Sequence, residues 1–212
     1  LKIDKQVAAH LLDIGAVSIQ PDDPFTWSSG LKAPIYCDNR LLISYPAIRR
    51  EVAQALGKRI QEEFGGVDVI AGTATAGIPH AAWISDVLDL PMVYVRGQKK
   101  AHGTASQIEG VIKPGQRVIV IEDLISTGRS ALSAVEALRS EGAEVLGIAS
   151  IFTYEMEKSM QQCQDLGIEC ISLTTITALL EVAQERGMKA DQASQVLEWT
   201  KSPEKTDWVV TS

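Results

Sequence analysis

The chain has 212 residues, 45% hydrophobic and 22% charged, which is the profile of a globular protein with a full core. Its formal net charge of −7 and pI near 5.0 argue against a non-specific nucleic-acid binder, which is normally basic. A small anionic substrate remains compatible, because the local field at a site outweighs the net charge.

Residues 1–20 mix charges with apolar residues and do not read as a signal peptide. The chain opens on Leu1 in place of Met, so a few further N-terminal residues are expected. No apolar run approaches the roughly 20 residues of a membrane span. Cys37, Cys163 and Cys170 show neither a CxxC nor a Cys/His zinc spacing, and three reduced thiols in a cytoplasmic protein are expected.

Val7, Ala8, Leu11, Leu12 and Ile14 have helical spacing, and Gly15 is a stop signal. Residues 28–39 form a Gly/Pro-marked segment with one short extended piece, 34–37. Residues 46–64 predict a long amphipathic helix, with Ile48, Val52, Ala55, Leu56 and Ile60 on one face. A repeated grammar follows: a strand at 67–71, a Gly/Thr loop and a helix to Leu88, then a strand at 91–95. Residues 96–110 are polar, with no apolar period. A strand at 118–121 runs into a helix whose face is Ala131, Leu132, Val135 and Leu138, stopped by Gly142. A strand at 145–152, a helix to about Leu166 and a strand at 168–173 complete the alternation. Residues 175–200 are helical, with a polar tail. Strands alternating with helices predict an α/β fold around a mainly parallel sheet.

Open α/β sheets bind ligands beyond the C-terminal ends of their strands. Loops 72–77, 96–110 and 122–130 lie at such ends. The last follows RVIVIEDLISTGRSA, residues 117–131. Ser126, Thr127, Gly128, Arg129 and Ser130 can surround a phosphate at a helix N-terminus. GxxxxGK[ST] and GxGxxG are both missing, so neither a Walker loop nor a dinucleotide fingerprint is present. Glu122 and Asp123, just upstream, suit sugar hydroxyls or a hydrated Mg²⁺ and would repel a phosphate. A ligand with vicinal hydroxyls about a ribose-length from a phosphate satisfies both halves.

VIVIEDLISTGRSA resembles the phosphoribosyl pyrophosphate (PRPP) motif of type I phosphoribosyltransferases. FTWSSGLKAPIYCDNR (25–40), AGTATAGIPHA (71–81) and YVRGQKKAHGTASQIEG (94–110) resemble the base-binding segment, pyrophosphate loop and mobile catalytic loop of orotate phosphoribosyltransferases. The resemblance covers most of residues 1–175 in the family's order. It implies the type I fold, a central mainly parallel sheet flanked by helices with an N-terminal base-binding segment. One domain over 1–212 is expected, with base segment 1–40, PRPP core 65–175 and C-terminal helices 175–212.

The reaction implied is transfer of the phosphoribosyl group from PRPP to orotate, with Mg²⁺, in pyrimidine biosynthesis. Asp123, Lys100 and His102 are the implied catalytic residues. PRPP would meet Arg96, Lys99, Lys100, His102, Glu122, Asp123, Leu124, Ile125, Ser126, Thr127, Gly128, Arg129 and Ser130, with Thr73 and Thr75 at the pyrophosphate. Mg²⁺ would be held mainly by PRPP, with Glu122 and Asp123 nearby. Ser126, Arg40, Tyr36 and Lys32 would contact orotate. A cytoplasmic homodimer is implied, in which loop 96–110 completes the neighbouring site, with no nucleic-acid or membrane partner.

The chain departs from some members of the family. Ala76 stands where some carry Lys before Gly-Ile-Pro, and Ser28 where some carry Lys in the base segment. Tyr154 stands where one branch has an Arg on the orotate carboxylate, and Gly97 where many have a second basic residue. Arg40, then Lys32, are the donors left for that carboxylate. Trp27 either lines the base pocket or packs on the N-terminal helix. His10 and His80 read as ordinary helix residues. A phosphoribosyltransferase for another base and a non-catalytic PRPP-sensing regulator are the alternatives; the basic catalytic loop and acidic charge oppose the regulator.

Overall fold

The computed structural model describes residues 2–27, 30–97 and 107–205. Helix α1 (Ile3–Asp13) buries Val7, Ala8 and Leu11, one stripe at helical spacing. Four short strands follow: β1 (Val17–Ile19), β2 (Phe25–Thr26), β3 (Lys32–Ala33) and β4 (Ile35–Cys37). β1 pairs with β4 and β2 with β3, both antiparallel. The segment therefore forms two small ribbons, where its sequence shows one extended piece. Two-residue strands carry no readable alternation, and their pairing is a tertiary event.

A 3₁₀ turn at Asn39–Ser44 leads to α2 (Pro46–Glu63), with its proline in the first turn. The alternating part is β5 (Val69–Thr73), α3 (Gly77–Leu88), β6 (Met92–Val95), β7 (Ile108–Glu109), β8 (Arg117–Ile125), α4 (Arg129–Ser140), β9 (Glu144–Thr153), α5 (Glu157–Asp165) and β10 (Glu169–Thr175). Two helices close the described chain, α6 (Ile176–Glu185) and α7 (Ala190–Lys201). Gly187, at φ +106°, divides a stretch that reads as continuously helical.

Among the described residues, six strands form one sheet in the order β10-β9-β8-β5-β6-β7. All neighbours are parallel except β7, which is antiparallel to β6. β7 adds a short strand to 96–110, a stretch with no apolar period: Ile108 is buried with Val93, Val95 and Ala134. β8 shows why the central strands read as continuous apolar runs. Ile119 and Ile121 pack on one side with α1, α2, α3, α6 and α7, while Val118 and Val120 pack on the other with α4 and Cys163 of α5. The first of these clusters also takes in Val17, Ala33 and Ile35 of the N-terminal ribbons and Trp199 of α7.

Two expectations need correction. β8 continues to Ile125 because its ladder with β9 extends through Leu124↔Phe152 and Ile125↔Thr153, so the acid pair lies inside the strand. Cys163 and Cys170 form a disulfide, with Cα atoms 6.6 Å apart, in place of two free thiols. The turn from α5 into β10 brings the two sulfurs together, which a separation of seven residues does not announce. Cys37 is the free cysteine.

Candidate active site

Glu122 and Asp123 are successive strand residues, so they leave β8 on opposite faces. Glu122 is 6% exposed. The Thr73 hydroxyl, at the end of neighbouring β5, donates to Glu122 Oε1 at 2.7 Å, and the Asp123 N–H donates to the same oxygen at 3.2 Å. Burial pushes the Glu122 carboxyl up to about 8, and the adjacent Asp123 charge adds to the shift. Burial raises Asp123 as well. Its carboxylate lies in the field of Arg40 and Cys37, on the side of the base segment.

On the Glu122 side lies a cavity of about 440 Å³. Thr73, Arg96, Glu122 and the whole run Leu124, Ile125, Ser126, Thr127, Gly128, Arg129 and Ser130 line it. Gly128 takes φ +78°, which a side chain resists, and hands the chain into α4 with no side-chain cap. The first N–H groups of α4 therefore face the loop and cavity unpaired by a cap, a ready anion site. Arg96 enters from the end of β6, with Nη1 at 3.2 Å from Glu109 Oε1 of β7.

A second cavity, about 470 Å³, lies on the other side of the Leu124–Ser126 ridge. Thr26, Trp27, Tyr36, Cys37, Leu124, Ser126 and Tyr154 line it. Its wall is aromatic: Trp27 stacks edge-on with Trp199 of α7 at 5.4 Å and tilts against Tyr154 at 6.0 Å, and Phe25 lies 5.9 Å from Tyr36. Trp27 thus lines the pocket and packs on Trp199 of α7. Leu124 and Ser126 belong to both cavities, so one loop borders both.

A model of the phosphoribosyl transferase domain matches residues 42–184, from the turn before α2 through most of α6. The chain is 56% identical over 206 residues to the orotate phosphoribosyltransferase of Bacillus mycoides, covering 97% of this chain and 98% of that protein. The chain belongs to the orotate phosphoribosyltransferase family. A crystal structure of orotate phosphoribosyltransferase from Aeropyrum pernix is 30% identical, with a TM-score of 0.75 over 86% of this chain and 99% of that one. The structure of Leishmania donovani UMP synthase is 31% identical, with a TM-score of 0.78 over 93% of this chain, which spans 42% of that protein's length.

For a member of this family the sequence-predicted residues fall into distinct groups. The first cavity gathers the loop, Glu122, Thr73 and Arg96. Thr75 is exposed and outside the lining, after a cis Ala74–Thr75 peptide. Tyr36 and Ser126 line the second cavity. Lys32 Nζ donates to the hydroxyl of Thr26, a lining residue, at 2.8 Å. Arg40 is turned away into a two-pronged pair with Asp38, Nε–Oδ1 2.6 Å and Nη2–Oδ2 3.0 Å, and its side chain is 63% exposed. Lys99, Lys100 and His102 lie outside the described residues, as does Ser28. His80 is buried in α3, and burial lowers its ring to about 4, so it stays neutral.

Several lining residues are not among the predicted site residues. Ser133 adds a hydroxyl to the first cavity, and its spacing of three from Ser130 on α4 is the signal that points to it. Thr26 and Cys37, both within the segment 25–40, and Tyr154, at the position where one branch has an Arg, line the second cavity, where the ribbons fold over the end of β9.

Proposed function

We propose that the chain transfers the 5-phosphoribosyl group of PRPP to orotate, giving orotidine 5′-monophosphate and pyrophosphate in pyrimidine biosynthesis. The observation that carries this reading is the Leu124–Ser126 ridge, with an anion-binding helix end and an acid on one side and an aromatic slot on the other. The 5′-phosphate sits on Ser126, Thr127, Gly128, Arg129 and Ser130 and the N-terminus of α4. The ribose hydroxyls face Glu122 and Asp123. The base lies between Trp27, Tyr36 and Tyr154, with Ser126 at its edge. Thr73 faces the diphosphate, which Arg96 and the loop residues Lys99, Lys100 and His102 neutralise.

Bond formation between the base nitrogen and the anomeric carbon breaks the bond to the diphosphate, and the sugar passes through an oxocarbenium-like state. Asp123, and Glu122 once ionised, stabilise that positive charge. The site must exclude water, which would otherwise hydrolyse PRPP. Among the described residues no group of three His, Cys, Asp or Glu side chains is placed to hold a metal ion. A Mg²⁺ ion would take most of its oxygen ligands from PRPP, with Glu122 and Asp123 as the protein's contribution. When bound it would neutralise leaving-group charge. Of the two orotate donors, Lys32 is the better placed, since Arg40 must leave Asp38 to reach the base.

The reading extends to one catalytic domain over 1–212 acting as a cytoplasmic homodimer. No helix among the described residues is long and apolar enough to cross a membrane. Asp123→Asn keeps the side-chain shape and removes the charge. Turnover with orotate, PRPP and Mg²⁺ should fall by about 10²- to 10³-fold, the usual scale for one lost electrostatic contact to a transition state. Near-normal turnover would remove Asp123 from the site.

A further inference from the structure

Asn39 is a fully buried polar side chain, 1% exposed, in the turn just after the base ribbon. Its Nδ2 donates to the main-chain carbonyl of Asp123 at 2.8 Å, across 84 positions of sequence. Its Oδ1 accepts from the Cys37 thiol, with sulfur and oxygen 3.2 Å apart. β5 pairs with β8 only as far as Gly72↔Ile121. Beyond Ile121 the acid-bearing end of β8 has lost that neighbour, and Asn39 supplies a hydrogen bond to it there.

The two bonds fix which way the amide faces. Burial raises the Cys37 thiol well above its usual range, with the Asp123 charge adding, so the sulfur keeps its proton and donates. The atom opposite a donor must be the amide oxygen, and the NH₂ must then meet the carbonyl. Cys37 itself lines the aromatic slot. One chain of contacts therefore runs from the base pocket through Cys37 and Asn39 to the backbone of the ribose-facing acid.

We infer that Asn39 is a positioning residue: it latches the base segment to the acid end of β8 and so sets Asp123 against the anomeric carbon. This rests on the role assigned to Asp123 above. Asn39 touches neither substrate, so its loss should act on turnover and spare binding. A displacement near 1 Å costs up to about 10²-fold in rate.

The test compares Asn39→Ala, Asn39→Leu and Asp123→Asn with the unaltered protein, measuring kcat and both KM values on material shown folded by thermal unfolding. Asn39→Leu keeps the branched shape and serves where the alanine variant does not accumulate; its side chain has no donor for the Asp123 carbonyl. Both Asn39 variants should lose about 10- to 100-fold in kcat, with each KM within about threefold. A residue that merely fills the core would lower the melting temperature and leave kcat of the folded protein within about twofold, and that result overturns the inference. So does a rise in the orotate KM at unchanged kcat. Near-normal Asp123→Asn refutes the reading beneath it, whereas inactive Asp123→Asn with fully active Asn39 variants overturns this inference alone.

Discussion

Gly77 opens α3 against the end of β8, and replacing it with alanine tests how tightly the acid site depends on that contact. A Cβ built there lies 2.5 Å from the Ile121 carbonyl oxygen and overlaps Thr73 Oγ1 more closely still. An ordinary carbon–oxygen contact is about 3.3 Å, so helix and strand must part by roughly 0.8 Å. Overpacking of this kind costs about 1–3 kcal/mol, or roughly 2–12 °C in melting temperature for a chain of this size. Both obstructing atoms adjoin Glu122 of the proposed site: Thr73 Oγ1 donates to it, and Ile121 directly precedes it. Turnover should therefore fall with stability, by up to about 10²-fold for a shift approaching 1 Å. Loss of orotate absorbance reports turnover, and calorimetric unfolding reports stability. Gly15→Ala is the control, since no atom lies within 4 Å of its Cβ and its positive φ is remote from the site. It should cost stability and spare kcat. Gly77→Ala with unchanged melting temperature and kcat would refute the argument that α3 and β8 are held this tightly at the site.

Lys32→Ala should raise the orotate KM by about 10- to 100-fold, the worth of one charged hydrogen bond, with little effect on that of PRPP. Arg40→Ala should do less, because the Asp38 pair already holds that guanidinium; the reverse ranking in initial-rate data would return the carboxylate to Arg40. The Glu122 carboxyl, raised to about 8 by burial, binds its proton more tightly folded than unfolded. Stability of the free protein should therefore fall as pH climbs from the usual carboxyl range through about 8. If PRPP needs the ionised acid, its KM should fall over the same range, lying about tenfold above its plateau one pH unit below 8; Glu122→Gln should flatten both profiles. For the proposed dimer, mixing inactive Lys100→Ala with inactive Asp123→Asn should restore up to about half of one dimer's activity, by two-fold symmetry. Verified mixed dimers without recovery would place loop 96–110 on its own subunit's site.

Chain-local signals carried much of this molecule. Period and punctuation mark the β/α alternation, because each central strand and each amphipathic helix encodes its own burial. The loop from Ser126 to Ser130 is equally local: hydroxyls, a glycine and a helix start are contiguous, and they line one cavity. What the sequence could not supply is everything made by distant segments meeting. The extension of β8 past the acids depends on pairing with β9, and the β1–β4 and β2–β3 ribbons on partners up to twenty residues away. The raised Glu122 carboxyl comes from burial beside Thr73, and Arg40's engagement from a turn that presents Asp38 to it. The aromatic slot needs Tyr36, Tyr154 and Trp27 brought together, with Trp199 behind. Residue types thus named the ligand chemistry, since donors and acceptors are properties of side chains. Their ionisation, orientation and availability are properties of the folded neighbourhood, and only the tertiary structure decided them.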